Sequence, residues 1–213
     1  MKLERVSNLN NKIQKVNELC YVSNLTSYRK VANKLNENKH WTVATRKDKE
    51  AVEDFYLNQN EDKVDAVGIC AYHVRYKKLV IIKQFRVPIN DYIYEVPAGL
   101  VDKGDKDILE SVKRELKEET GLDLLDVNND YTIEKTYLSP GMTDESIALV
   151  FCTCDGELNK DGLEDDEDIE AILVSQEEAR KILKSKEKMD VKAFLMLRNF
   201  VLLGEKMFLN LYK

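Results

Sequence analysis

Cysteine and histidine are scarce: the chain has four cysteines and two histidines in 213 residues. Cys20, Cys70, Cys152 and Cys154 include no CxxC pair, and only His40 and His73 could join them. That argues against a zinc site and for reduced, mostly buried thiols. No stretch approaches the roughly 20 apolar residues that span a bilayer. Residues 1–20 carry charges throughout and lack the apolar core of a signal peptide, so a cytoplasmic protein without a membrane partner is expected. An excess of positive charge is missing as well. With a net charge of -6, the chain lacks the concentrated basic surface of a general nucleic-acid binder, and any phosphate must be met locally. Internal repeats and low-complexity segments are also lacking. What remains is 43% hydrophobic content, enough for one core, or a catalytic core plus a small accessory domain.

Residues 1–20 are polar and only weakly periodic. Tyr28 to Ala32 and Trp41 to Thr45 read as short strands around the turn-forming stretch Asn33–Lys39, a small antiparallel β element. A charged, linker-like run, Arg46 to Asp54, leads to Ala66–His73 and Lys78–Gln84, expected as central strands joined by a turn near Arg75–Lys77. Tyr92–Val96 is a further strand, ended by Pro97-Ala98-Gly99. A helix follows from about Asp107 to Thr120, with Leu109, Val112 and Leu116 as its apolar stripe and Gly121 as its stop. Tyr131–Tyr137 and Ile147–Cys154 read as strands around the loop Leu138–Glu145, and the acidic loop Leu163–Asp168 precedes a strand over Glu170–Val174. Ser175 with Glu178 forms a capping box for a helix through about Lys184. Asp190 caps a last helix, Val191 to Leu203. Strands interleaved with three helices indicate a mixed α/β (α+β) domain. The division expected is 1–55 for the N-terminal β element and 56–213 for the main domain.

On the helix over 107–120, Glu115 and Glu119 lie four residues apart on one face, with Glu118 beside them. Such like charges repel by a few tenths of a kcal/mol per pair (~0.2–0.5) unless a hard divalent ion converts repulsion into coordination. A bare ExxEE is usually only a solvated helix face. Here it sits in Gly99-Leu-Val-Asp-Lys-Gly104 followed by Arg114-Glu-Leu-Lys-Glu-Glu-Thr-Gly-Leu122, which closely resembles the Nudix box, G-x5-E-x7-R-E-U-x-E-E-x-G-U. The second half matches at every defined position. In the first half the acidic position falls on Asp105, one residue too far from Arg114, so Asp105 and Asp107 are both candidates for the missing glutamate, whereas Glu110 is out of register.

The resemblance implies an α/β/α sandwich with a mixed sheet and a hydrolase acting on diphosphates with Mg²⁺ or Mn²⁺. It implies Glu115, Glu119 and the Ala98 carbonyl as metal ligands, Glu118 as ligand or support, Gly99 and Gly121 as structural, and Arg114 as an ion-pair partner within the helix. The chemistry is water attack with metal-assisted charge neutralisation and no covalent enzyme intermediate.

Gln84-Phe-Arg86, Glu95-Val-Pro-Ala-Gly99 and Ser139-Pro-Gly-Met-Thr-Asp-Glu145 together resemble the ADP-ribose pyrophosphatase branch, over about residues 40–203. That likeness implies substrate contacts for Arg86, for Ser139, Pro140 and Gly141, and for Glu145 near the distal ribose. In the acidic loop it assigns Glu167 to metal binding and Asp165 as the base, Glu167 being favoured as essential. Trp41, with Tyr28 as a second aromatic, would stack on adenine and Arg46 would hold the ligand across a homodimer. Another nucleoside diphosphate sugar, a dinucleotide, or a non-catalytic ADP-ribose-binding role are the alternatives.

Overall fold

The computed structural model describes residues 22–31, 34–47, 50–52, 55, 63–164 and 167–208. The described residues fall into two compact units, one holding those up to Asp65 with Tyr137–Ser146, the other Ala66–Thr136 with the residues from Ile147 onward.

The first unit is built on an antiparallel hairpin, β1 (Val22–Val31) and β2 (Lys34–Ala44), paired from Val22 opposite Ala44 to Val31 opposite Lys34. The turn expected over Asn33–Lys39 is therefore corrected: Lys34 to Lys39 belong to β2. Strand propensity reads single residues, whereas the ladder is set by a partner strand that supplies the backbone hydrogen bonds. Beyond the hairpin, residues 50–52 and 55 are helical. Within this unit Ala44 donates its N–H to the Met142 carbonyl (2.8 Å), and Ser146 donates from both backbone and hydroxyl to Asp65 (2.7 and 2.9 Å).

The second unit is organised by one mixed sheet of β3 (Ala66–His73), β4 (Lys78–Arg86), β5 (Asp91–Glu95), β6 (Ala98–Leu100), β7 (Asp123–Val127), β8 (Ile133–Tyr137), β9 (Ser146–Asp155) and β10 (Ile169–Val174). Its main path is β10-β4-β3-β9-β7, with β3 and β9 parallel and the neighbouring pairs antiparallel. The expected central strands are indeed central. Two strands escape a sequence reading, β6 because it is only three residues long and β7 because Asp123 and Asp126 interrupt its apolar pattern.

Helices cover both faces. Cys70 and Tyr72 of β3 and Leu79 and Ile81 of β4 form one core with α2 (Gln176–Lys184) and α3 (Val191–Leu203), through Ala179, Ala193, Leu197 and Phe200. The alternate residues Val67, Ile69, Val80 and Ile82 are also fully buried, which places them on the opposite face, where α1 (Ile108–Thr120) packs against β3. Buried on both sides, β3 and β4 read as continuous apolar runs. The helix limits follow local chemistry. Asp107, Ser175 and Asp190 cap the three N-termini, Ser175 and Glu178 complete the capping box, and Gly121 takes a left-handed conformation at the end of α1 (φ 78°). The apolar stripe of α1 is narrower than expected: Val112 and Leu116 are fully buried, but Leu109 is 40% exposed because it lies in the first turn, beyond the close contact with the sheet. Cys70, Cys152 and Cys154 are buried free thiols, as expected, while Cys20 lies outside the described residues. Among the described residues no helix is long and apolar enough to cross a membrane.

Leu116→Ala should lower the unfolding free energy by about 2–5 kcal/mol, whereas Leu109→Ala should change it by less than about 1 kcal/mol. Urea unfolding of the two variants checks this, and equal losses would contradict the assignment of the α1 contact face.

Candidate active site

The site grows from a split between the two central strands. Lys78 and Leu79 of β4 pair with β3, but Ile82 to Arg86 pair with β5 instead. On the other side of the split, Ala66 to Gly68 of β3 pair with β6. The chain from Glu95 to Gly99 thus passes between β4 and β3, and the Pro97 carbonyl accepts the Ile69 N–H at 2.7 Å. This wedge brings Ala98 and Gly99 against α1. Ala98 donates its N–H to Glu119 Oε2 (2.9 Å), and a Cβ on Gly99 would fall 1.9 Å from the Glu115 carboxyl carbon. Only glycine leaves room for that carboxylate.

Glu115 and Glu119 are 8% and 2% exposed, unusual for carboxylates one helical turn apart. Burial pushes both carboxyls upward, Glu119 strongly, and each also feels the negative charge of Glu167. The Ala98 N–H opposes the shift at Glu119, and Arg114 opposes it at Glu115. Arg114 is more than the intrahelical partner expected. It binds Glu115 (2.7 Å) and Glu118 (3.1 Å) on α1, and also the Leu100 carbonyl (2.9 Å), Asp105 (3.0 Å) and Asp102 (3.5 Å) in the preceding loop. The choice between Asp105 and Asp107 is thereby resolved geometrically. Asp105 reaches Arg114 and accepts from Ser111 Oγ (2.7 Å), which lowers its carboxyl to about 2, while Asp107 caps α1.

The acidic loop is tied to the same region. Asn159 donates its N–H to the Thr120 carbonyl at the end of α1 (3.1 Å), and Glu167 accepts the Glu164 N–H (3.0 Å). Asp165 lies outside the described residues. Arg86 forms a two-pronged ion pair with Glu95 through Nε (2.8 Å) and Nη2 (2.7 Å). Glu95 is 6% exposed and is the residue the sequence reading quoted without assigning a role; its signal was a carboxylate inside an otherwise apolar strand end. Ser111 was likewise visible only once the loop geometry was known, whereas Asp105 already stood as a candidate beside Asp107.

The other residues expected to bind substrate belong to the first unit. There Arg46 Nε pairs with Glu145 at 2.9 Å, and the loop at Ser139 is closed by donation from the Met142 and Thr143 N–H groups to its carbonyl (2.9 and 3.0 Å). Pro140 and Gly141 form the turn in that loop. Trp41 stands on β2 opposite Leu25.

Among the described residues, no three His, Cys, Asp or Glu side chains are arranged as a ready-made metal cage. Arg114 occupies Glu115 Oε1 and Glu167 closes its own loop. The donor chemistry nonetheless fits a hard divalent cation: the available groups are carboxylate and carbonyl oxygens, two of the carboxylates are buried, and the opposing cations are Arg114 at Glu115 and Arg86 at Glu119. Among the described residues, two buried polar atoms have no hydrogen-bond partner, Arg114 Nε on α1 and Gln84 Oε1 on β4.

The NUDIX domain family matches residues 62–196, more than half of the chain, and the chain belongs to that family. It is 35% identical over 122 residues to the ADP-ribose pyrophosphatase of Bacillus subtilis, covering 54% of this chain and 60% of that one. It is 36% identical over 121 residues to the ADP-ribose pyrophosphatase of Saccharomyces cerevisiae, covering 52% and 50%. A GDP-mannose pyrophosphatase of Shigella flexneri is 29% identical over 161 residues, covering 72% of this chain and 81% of that one. Against the two ADP-ribose pyrophosphatases the match spans 60% and 50% of the relative's length.

Gly99→Ala should displace the Glu115 carboxylate and weaken Mn²⁺ binding roughly tenfold or more, read by calorimetric titration. Asp105 contributes stability that is complete above its ordinary carboxyl value of 3.8 and is lost as pH falls through about 2. The stability difference between the wild type and Asp105→Asn, followed by urea unfolding, should therefore shrink across that interval. A constant difference would remove Asp105 as the partner of Arg114.

Proposed function

We propose that this chain hydrolyses the diphosphate bond of a nucleoside diphosphate sugar, ADP-ribose before others, giving AMP and ribose 5-phosphate. The observation that carries the reading is the pair of buried carboxylates, Glu115 and Glu119, facing the Ala98 segment within the field of Glu167. The two ADP-ribose pyrophosphatase relatives support the substrate.

In this reading Glu115, Glu119, Glu167 and the Ala98 carbonyl hold Mg²⁺ or Mn²⁺, with Glu118 as a further ligand or a support. Held there, such a cation would neutralise charge on the diphosphate and ease deprotonation of the attacking water. Asp165 of the acidic loop would take the proton of the attacking water, with Glu167 kept as a metal ligand. One P–O bond forms, the bridging P–O bond breaks, and the charge passes to the departing phosphate. Arg86 binds Glu95 through its Nε–Nη2 edge, which leaves the Nη1 edge for a phosphate oxygen. Trp41, Arg46, Ser139, Pro140, Gly141 and Glu145 are assigned to recognition of the nucleoside and sugar. A cytoplasmic homodimer belongs to the same reading.

A second substrate class, guanosine diphosphate sugars, is favoured by one observation: the GDP-mannose pyrophosphatase match extends over 72% of the chain. Incubation with ADP-ribose, ADP-glucose and GDP-mannose, with Mg²⁺ and with or without chelator, separates the two. AMP released fastest from ADP-ribose and abolished by chelator is expected. Faster turnover of GDP-mannose would move the substrate, and binding without turnover of any compound would favour a non-catalytic role. Glu119→Gln should reduce turnover at least about a hundredfold with an unchanged circular dichroism spectrum, because a neutral amide is a poor ligand for a hard cation. Near-wild-type activity in that variant would end the metal assignment.

A further inference from the structure

Asp168 follows Glu167 directly and has no part in the chemistry above, yet it is tied to the sheet at two points. Its carbonyl accepts the Phe85 N–H (3.1 Å), and its carboxylate Oδ2 accepts the Tyr92 hydroxyl (2.7 Å). The first bond extends the β10–β4 ladder by one residue, since Ile169 is opposite Gln84. Across the next ladder Phe85 is opposite Tyr92, and their rings meet edge to face at 5.5 Å. Residues directly opposite one another share a face of the sheet. Asp168, Phe85 and Tyr92 therefore form one row over three strands, with the tyrosine hydroxyl reaching past the phenyl ring to the carboxylate. The next row, Ile169, Gln84 and Ile93, points to the opposite face, which by alternation also carries Arg86 and Glu95. Glu167 precedes Asp168 just before β10 begins, and its charge acts on both Glu115 and Glu119.

We propose that Tyr92 and Asp168 are positioning residues, a peg on one face of the sheet that fixes the direction of Glu167 toward Glu115 and Glu119 on the other. The inference rests on the reading of Glu167 as a metal-binding carboxylate. The peg matters because, among the described residues, the local bonds of Glu167 are those of the turn it makes with Glu164, through the Glu167 N–H to the Glu164 carbonyl and the Glu164 N–H to its own carboxylate. A charge-assisted hydroxyl–carboxylate bond gives that turn a fixed anchor.

The test compares Tyr92→Phe, Asp168→Ala, Asp168→Asn and the Tyr92→Phe/Asp168→Ala double variant with the wild type and Glu167→Gln. Mn²⁺ affinity is read by calorimetric titration, and kcat and KM by hydrolysis of ADP-ribose. Tyr92→Phe and Asp168→Ala should each weaken Mn²⁺ binding several-fold and lower kcat roughly tenfold at nearly constant KM. The double variant should be no worse than Asp168→Ala, because that change already leaves the Tyr92 hydroxyl without its carboxylate acceptor. Asp168→Asn, whose amide oxygen still accepts the tyrosine hydroxyl, should recover most of the loss. Additive losses, or a fall in thermal midpoint with unchanged Mn²⁺ affinity, would overturn the proposal, as would Glu167→Gln binding Mn²⁺ like the wild type. Turnover of no nucleotide sugar by the wild type would instead defeat the functional reading, while the Mn²⁺ titrations would still report whether the peg directs Glu167.

Discussion

Housing the carboxyls of Glu115 and Glu119 in a buried place one helical turn apart is the constraint from which the second unit is best understood. An unpaired buried charge costs several kcal/mol (roughly 3–5 when its partner is removed), so the pair persists only if the surroundings compensate. Three features do so. Arg114 shares its guanidinium between α1 and the preceding loop, the Ala98 N–H is directed at Glu119, and Gly99 leaves space where any side chain would strike Glu115. Each compensates in part. Burial still outweighs these groups at both carboxyls, and that residual deficit in positive charge is what makes the site chemically suited to a cation.

Those three features depend in turn on the sheet. If β3 and β4 paired along their whole length, the segment Glu95–Gly99 would have nowhere to lie, and neither the Ala98 N–H nor the Gly99 gap would meet α1. The split is stabilised from both sides, by the β4–β5 ladder and by the β3–β6 ladder, with the Ile69 N–H to Pro97 carbonyl bond between them. A proline in the wedge suits this place, since it has no N–H for a ladder that is changing partners. The fold and the site are thus a single arrangement, in which an irregularity of the sheet creates the polar surroundings of the helix.

Much of this was legible in the sequence because it is written in local chemistry. Glu115 and Glu119 at helical spacing, Gly121 as a stop, and Asp107, Ser175 and Asp190 as caps require only neighbours a few residues away. The continuous apolar runs of β3 and β4 announced central strands for the same reason. What was not legible depends on distant partners. Lys34 to Lys39 are turn formers by composition and become strand because β1 lies beside them. Leu109 fits the apolar period of α1 yet is exposed, because periodicity gives the direction of a side chain but not the extent of the surface it meets. Asp105 could be separated from Asp107 only by seeing which carboxylate Arg114 reaches.

Arg86 and Glu95 show how such distant pairing refines a motif. As sequence, they are a cation at a strand end and an acid before a proline, and only the arginine drew a functional reading. In the structure Glu95 is the more buried of the two and holds the arginine by two prongs. A long, flexible side chain is thereby reduced to one orientation, and the entropy of that ordering is lost during folding. The same logic applies to Arg114, whose contacts with Leu100, Asp102 and Asp105 fix it against the loop before α1. Both arginines are held in place by acids. The acids around this site therefore serve two distinct purposes, some drawing in positive charge and others aiming the cations already present.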